Sequence, residues 1–264
     1  MTQYQTLAEV VKKEQIAADI FRLTLRAPEI AGCARPGQFV MVRAMAGIDP
    51  LLRRPFSIHQ VSSEGNIQIL FKRLGKGTTL LARLEAGEQL DLVGPLGNGF
   101  DLNGPGKVCL VGGGMGIAPL YFLAREFLRQ SIPPRLTVML GARTREELVT
   151  VANDFKDLGV NDLSLATDDG TLGHHGLVLD LMGRQMARED QWSVYTCGPH
   201  PMMKAVAEMA RQNEWLCSVS LETMMACGIS ACLGCAIPRA GLNGNYLHVC
   251  KDGPVFDAGE VAWL

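Results

Sequence analysis

No run of apolar residues in the sequence approaches the roughly 20 that a membrane-spanning helix requires, so no segment predicts a helix inside a bilayer. An excess of charge is missing too. Lys and Arg number 25 against 27 Asp and Glu, a formal net charge of −2, which gives no electrostatic footprint for nucleic acid or an anionic membrane surface. The start MTQYQTLAEVVKKEQ is polar and charged rather than apolar, so no signal peptide is expected. The expected compartment is a reducing cytoplasm, where a disulfide framework would not persist. There is also no paired-carboxylate or nucleophile-triad constellation of the kind that acid–base and covalent catalysis use. What the chain does have is 29 glycines and 8 cysteines in 264 residues, and their placement is more informative than their number.

Four cysteines gather near the end. Cys227, Cys232, Cys235 and Cys250 have the spacing C-x4-C-x2-C-x14-C, and the first three match the loop that holds a two-iron, two-sulfur cluster in plant-type ferredoxins. Four thiolates suit such a cluster, and Gly228 and Gly234 let backbone wrap tightly around it with N–H groups toward the sulfurs. A four-thiolate zinc site is the alternative. Zinc motifs are usually built from two separated C-x2-C knuckles, whereas this loop has a single C-x2-C pair preceded by a four-residue gap.

From Tyr4 to Val93 short runs rich in Val, Ile, Leu and Phe alternate with Gly and Pro, as in FRLTLRA, QFVMVRA, FSIHQV and IQILFKRL. The pattern predicts about six antiparallel strands in a small barrel or sandwich. A short helix is expected after Thr78, in TLLARLEAG, ending at Gly87. Two stretches exceed what a barrel needs. LRRPFSI, residues 52–58, is a basic, proline-stiffened strand start, and GKGT, residues 75–78, puts glycines and a hydroxyl before a helix, where bare N–H groups attract phosphate. Each taken alone also reads as an ordinary strand edge or turn.

The middle of the chain changes period. KVCLVGGGMGIAPL, starting at Lys107, is a strand, a glycine turn and a helix start; RLTVMLGA and LSLATDDG are further strands, and SVYTCGPHPMM leads into another helix. Strands alternating with helices predict a doubly wound parallel sheet with ligands outside the carboxyl ends of its strands. Gly112, Gly113, Gly114 and Gly116 form the turn expected to receive a pyrophosphate, and Cys197, Gly198 and Pro199 form a second turn, with Cys197 expected at a strand end facing the crevice. Taken alone, Cys197 also reads as a small buried hydrophobe. His174, His175 and His200 read as solvated loop histidines.

These motifs carry a family resemblance. RPFS resembles the Arg-x-Tyr-Ser motif of the ferredoxin-reductase family, and CGP its Cys-Gly-Pro turn beside the nicotinamide. LLRRPFSI, GPLGNGF, VGGGMGIAPL, CGPHPMM, CGISACLGC and VCKDGPVF together resemble the electron-transfer subunits of B-type dihydroorotate dehydrogenases. The resemblance implies three parts: an all-β barrel FAD domain over residues 1–102, an α/β doubly wound NAD domain over 103–215, and a small C-terminal 2Fe–2S cluster domain over 216–264. It implies that Arg54 contacts the FAD pyrophosphate and Ser57 the isoalloxazine side, with Pro55, Leu70, Phe71, Lys72, Gly77 and Thr78 around them. Phe56 departs from the family's Tyr, so its ring can stack but offers no phenolic hydrogen bond. It further implies a cytoplasmic heterotetramer with an FMN-containing catalytic subunit that oxidises dihydroorotate to orotate in pyrimidine biosynthesis. The order makes sense as a wire, because a flavin can stand between a two-electron nicotinamide and a one-electron cluster. Two other readings use the same residues: a diaphorase-like subunit of a hydrogenase, sulfide dehydrogenase or bifurcating complex, and a non-enzymatic redox sensor. NAD is preferred to NADP by resemblance alone, since Arg143 and Arg145 are available to a 2′-phosphate.

Overall fold

Strand-forming residues dominate the first third of the computed structural model, which describes residues 2–45, 47–104, 106–186, 190–241 and 245–263. Strands β1 (Tyr4–Ala17), β2 (Ile20–Arg26), β3 (Phe39–Arg43), β4 (Arg54–Val61), β5 (Asn66–Lys72) and β6 (Gln89–Leu96) close into an antiparallel barrel in the order β1-β2-β5-β4-β3-β6. Inward-facing Leu23, Leu25, Ile58, Ile67, Ile69 and Phe71 fill it, each contributing about 1.5–3 kcal/mol of burial. Helix α1 (Pro28–Ala31) lies between β2 and β3, and α2 (Lys76–Leu81) between β5 and β6. α2 is shorter than the sequence suggests. Leu81 is already fully buried, and the Arg83 and Leu84 amides bond to carbonyls three residues back, which tightens the last turn and ends the helix. Gly87 (φ 90°) instead serves the turn into β6.

The rest of the chain builds a seven-stranded sheet. β7 (Lys107–Gly113), β8 (Arg135–Ala142), β9 (Asp162–Thr167), β10 (His174–His175), β11 (Trp192–Cys197) and β12 (Leu216–Ser220) run parallel, with α3 (Ile117–Leu128), α4 (Arg145–Asp157), α5 (Val178–Gln185) and α6 (His200–Gln212) covering the faces. A hairpin of β13 (Ala236–Pro238) and β14 (Tyr246–His248) stands apart, and β15 (Val255–Asp257) joins the sheet antiparallel to β12. The order β10-β9-β8-β7-β11-β12-β15 reverses direction between β7 and β11, so the crevice at the carboxyl ends of these two strands is the topological switch point.

The boundary expected at 215/216 falls where β12 begins, and that strand belongs to the sheet. Buried Val219 and Ser220 require a ladder partner, and β15 supplies one from the far side of the cysteine segment. The last fifty residues are thus stitched to the sheet at both ends. They are also stitched to the barrel: Asn98 Nδ2 donates to the carbonyls of Lys251 (3.1 Å) and Asp252 (3.0 Å), and its backbone N–H donates to Gly253 at 2.6 Å. This is what the GPLGNGF segment does. Gly97 lies so close to the tail that a Cβ there would fall 2.5 Å from Pro254 Cδ.

Candidate functional site

Between the barrel and the sheet opens a cleft of about 570 Å³. Strand β4 brings Arg54, Pro55, Phe56 and Ser57 to it in succession, β5 ends in it with Leu70, Phe71 and Lys72, and α2 adds Thr78. Arg54 is held over the start of α2 and donates to the Leu52 carbonyl. The ring of Phe56 packs against Phe71 with centroids 5.7 Å apart and a 57° tilt. Thr78 spends its hydroxyl locally: it accepts from the Leu74 (2.9 Å) and Gly75 (3.1 Å) amides and donates to the Gly75 carbonyl. Its contribution is therefore to cap α2 and shape the Gly75–Gly77 turn. Lys72 already has an anionic partner, Glu147, at 2.6 Å. A cleft of this size, lined mostly by aromatic and aliphatic side chains and by the Arg54 guanidinium and the Ser57 hydroxyl, fits a flavin dinucleotide.

Part of the lining was not legible from spacing: Ser220, Leu221, Glu222, Thr223, Met224 and Met225 belong to it, together with Met115 and Ala118. The only signal was that ETMM lies just ahead of the first cluster cysteine, with Ala226 alone between them. Glu222 faces the open cleft yet is surrounded by protein, and desolvation raises its pKa.

The two turns at the switch point touch. A Cβ on Gly116 would lie 2.3 Å from the carbonyl carbon of Cys197 and from Gly198 N, and one on Gly113 would lie 2.6 Å from Met202 Sδ and 2.9 Å from Pro199 Cδ. Gly114 adopts φ 53° with nothing within 4 Å of its Cβ position, leaving its surface open at the start of the turn into α3. Gly112 packs on Ile117 and Leu120. The expectation for Cys197 changes in one respect. It sits at the end of β11, paired with Gly112, but its side chain is buried in the core, 1% exposed, instead of facing the crevice. Burial pushes its thiol above the ordinary range, the Glu222 carboxylate adds to this, and the Ser220 hydroxyl pulls against it.

The cysteines form two pairs. The β13–β14 ladder sets Ala236 opposite His248 and bonds Val249 N to Cys235 O at 3.0 Å, which places Cys235 Sγ 3.2 Å from Cys250 Sγ. Cys227 and Cys232 form the other pair, with the Cys232 amide 3.4 Å from Cys227 Sγ. Loop residues Ser230 (φ 66°) and Leu233 (φ 58°) hold left-handed backbone, a costly conformation outside glycine that turns amides inward. Gly228 (φ 71°) lets the loop lie on β3, where a Cβ would fall 2.4 Å from Met41 Cγ. Burial pushes the Cys227 thiol up, but amides at Cys232, Ile229 and Ala231 outweigh it and bring it to about 7. Burial and the hydrogen bond to Cys235 push Cys250 up to about 12. Among the described residues no three His, Cys, Asp or Glu side chains converge as ligands of a single ion. Two pairs of thiolates are the donor set of a two-iron cluster, two sulfurs to each iron, so the residues fit that group better than a single zinc.

Comparison with known proteins follows the same three-part division. Residues 7–100 match the oxidoreductase FAD-binding domain family, 110–208 the oxidoreductase NAD-binding domain family, and 222–262 the iron-sulfur cluster binding domain of dihydroorotate dehydrogenase B. The dihydroorotate dehydrogenase B (NAD(+)) electron transfer subunit of Desulforamulus reducens is 40% identical over 260 residues, 97% of each chain. That of Geobacillus thermodenitrificans is 39% identical over 256 residues, 96% of each chain. Among solved structures, a chain of NADH-dependent reduced ferredoxin-NADP oxidoreductase, studied for flavin-based electron bifurcation, superposes with a TM-score of 0.86 at 34% identity, covering 98% of this chain and 90% of that one. The ferredoxin reductase of carbazole 1,9a-dioxygenase shares the fold at 23% identity and a TM-score of 0.67, covering 81% of this chain and 67% of that one.

Proposed function

The chain belongs to the electron transfer subunits of dihydroorotate dehydrogenase B, and from that membership we propose how its parts divide the work. Residues 1–102 hold FAD, the sheet domain from residue 103 through β12, with β15, holds NAD, the segment between β12 and β15 holds a 2Fe–2S cluster, and an FMN-containing catalytic subunit oxidises dihydroorotate in a cytoplasmic heterotetramer. The observation that carries this reading is the wall of the cleft. It is formed by the RPFS strand together with Ser220–Met225, the residues that lead through Ala226 into Cys227. The flavin cleft and the cluster loop therefore share a wall.

When bound, the flavin supplies the exchange between a two-electron nicotinamide and a one-electron cluster. Arg54 presents its guanidinium for a charge-assisted phosphate contact, while Ser57 and Phe56 face the ring system. The open turn at Gly114, closed from behind by Gly116 against Gly198, receives the dinucleotide phosphate at the start of α3. Cys227, Cys232, Cys235 and Cys250 would hold the cluster, which when bound would accept and pass on single electrons. Cys197, buried and protonated, shapes the turn and takes no part as a nucleophile. Met224, Ile229 and Leu233 expose 89%, 49% and 56% of their surface around the cluster loop, an apolar margin suited to a docked subunit.

A second reading is favoured by the 0.86 superposition on the bifurcating oxidoreductase chain: the same wire serving another partner. Anaerobic purification from the native host separates the two. A co-purifying FMN protein and dihydroorotate-dependent NAD reduction are expected. A different partner and no such activity would overturn the assignment.

A further inference from the structure

Helix α4 turns one polar stripe toward the barrel. Glu147, Thr150 and Asp154 are spaced three and four residues apart and so share a face, and each engages a different strand. Glu147 Oε1 is 2.6 Å from Lys72 Nζ at the end of β5. Thr150 Oγ1 donates to the Ile16 carbonyl of β1 at 3.1 Å, and Asp154 pairs with Arg22 of β2. Both ion pairs are sheltered, with the Lys72 and Glu147 side chains each 21% exposed. Val151, on the same side of the helix, is buried between them.

The Glu147 end of the stripe differs from the rest. The same Oε1 that binds Lys72 also accepts from Arg143 Nη2 at 2.8 Å, so one oxygen joins the barrel to the loop that follows β8. A cavity of about 30 Å³ lies against it, lined by Lys72 and Leu70 from the barrel and by Gly114, Met115, Ile117 and Val151 from the sheet domain. Lys72, Leu70 and Met115 also line the flavin cleft, and Gly114 is the open residue of the dinucleotide turn. The carboxylate is thus placed where the cleft and the turn meet. Its hydrogen bond from Arg143 and the Lys72 charge outweigh desolvation and hold it well below the ordinary carboxylate range, at about 2, so it is ionised at every working pH.

We infer that Glu147 is a positioning residue for hydride transfer, locking the dinucleotide-binding domain onto the barrel so that the nicotinamide meets the flavin at a set distance. The inference rests on the reading that FAD occupies the cleft and NAD the glycine turn. In that step one hydride leaves NADH, which becomes NAD+, and passes with a further proton from solvent to FAD, giving FADH2. Hydride transfer needs reacting atoms within about 3–3.5 Å, and a misplacement of about 1 Å can cost 10²-fold. Partly exposed ion pairs add little to global stability, so the effect of this one falls on geometry more than on folding.

The test is Glu147→Gln in the purified complex, studied anaerobically. The rate of flavin reduction at saturating NADH should fall by roughly tenfold to a hundredfold, and the long-wavelength absorbance of the nicotinamide–flavin contact should weaken. Amides of α4 and the end of β5 should exchange hydrogen faster, with FAD content and the Kd for NADH within about twofold of wild type. If that variant does not fold, Lys72→Met should reproduce the loss per bound flavin and Lys72→Arg should largely restore the rate. An unchanged reduction rate overturns the inference. So does a loss confined to the NADH Kd, which would assign Glu147 to dinucleotide binding through Arg143, or a loss explained by flavin release alone. A wild-type flavin that NADH does not reduce would instead sink the site assignment on which the inference rests.

Discussion

The guanidinium of Arg54 lies directly over the backbone of Gly77: a Cβ on Gly77 would fall 2.6 Å from Nε and 3.2 Å from Cζ. Strand β4 and helix α2 are thereby brought together at one end of the cleft, and neither motif predicts the other along the chain. Arg54→Ala should lose FAD through the missing charge-assisted contact, at a cost of about 1.5–3 kcal/mol. Gly77→Ala should lose it less severely, since the flexible guanidinium can shift away. Flavin absorbance per chain after prolonged dialysis measures both. Full retention in Arg54→Ala would remove that residue from the phosphate site.

Gly116 makes a comparable contact with backbone in place of a side chain. The carbonyl carbon of Cys197 and the nitrogen of Gly198 would stand 2.3 Å from its Cβ, so Gly116→Ala must push the two turns apart. The NADH Kd should rise by about tenfold or more, equivalent to about 1.4 kcal/mol, with FAD retained. Gly114→Ala meets no protein atom, but its methyl would stand in the opening proposed for the phosphate, so it should also weaken NADH binding, beyond the roughly 1–3 kcal/mol of holding a left-handed backbone. A titration in which Gly116→Ala binds NADH normally would place the dinucleotide elsewhere.

Cys232→Ser should remove the iron signal and stop electron flow to the partner, while NADH still reduces the flavin. Because ligation ties the loop at Cys227–Cys235 to the tail at Cys250, losing it should also expose the segment after Met225 to protease. The anchors of Asn98 on Lys251, Asp252 and Gly253 should keep the tail itself in place. Normal electron delivery by Cys232→Ser, or zinc without iron in an anaerobic wild-type preparation, would refute the cluster assignment.

His59 gives a pH prediction. It is fully buried, stacked on Tyr121 at 4.7 Å, with Nδ1 2.8 Å from the Ala118 carbonyl and Nε2 lacking a partner among the described residues. Burial, aided by the charges of Arg22 and Arg125 and opposed by the Ala118 hydrogen bond, lowers its pKa from 6.5 to about 4. The folded protein resists a proton that the unfolded chain accepts. The stability this represents is present above pH 6.5 and is lost as pH falls toward 4, by up to about 3 kcal/mol. His59→Gln should flatten the unfolding midpoint between these pH values. An unchanged slope would mean that the ring is not neutral in the fold.

By itself the sequence determined whatever depends on neighbours along the chain. Period-2 runs announced barrel strands that the structure places at β2 to β5, the glycine turn after KVCLV announced a doubly wound sheet, and C-x4-C-x2-C announced the cluster. Each is a local rule about backbone conformation or ligand spacing, and the fold and cofactor classes follow from it. The tertiary structure alone decided what crosses between segments. It turned Cys197 inward and gave Lys72 to Glu147. It also brought Ser220–Met225 into the lining of the cleft and drew β12 and β15 into one sheet. Such pairings join residues up to some 150 positions apart, as Asn98 with Asp252 shows. Only the closing of the barrel against the sheet brings them within hydrogen-bonding range, and no local pattern of residues encodes that distance.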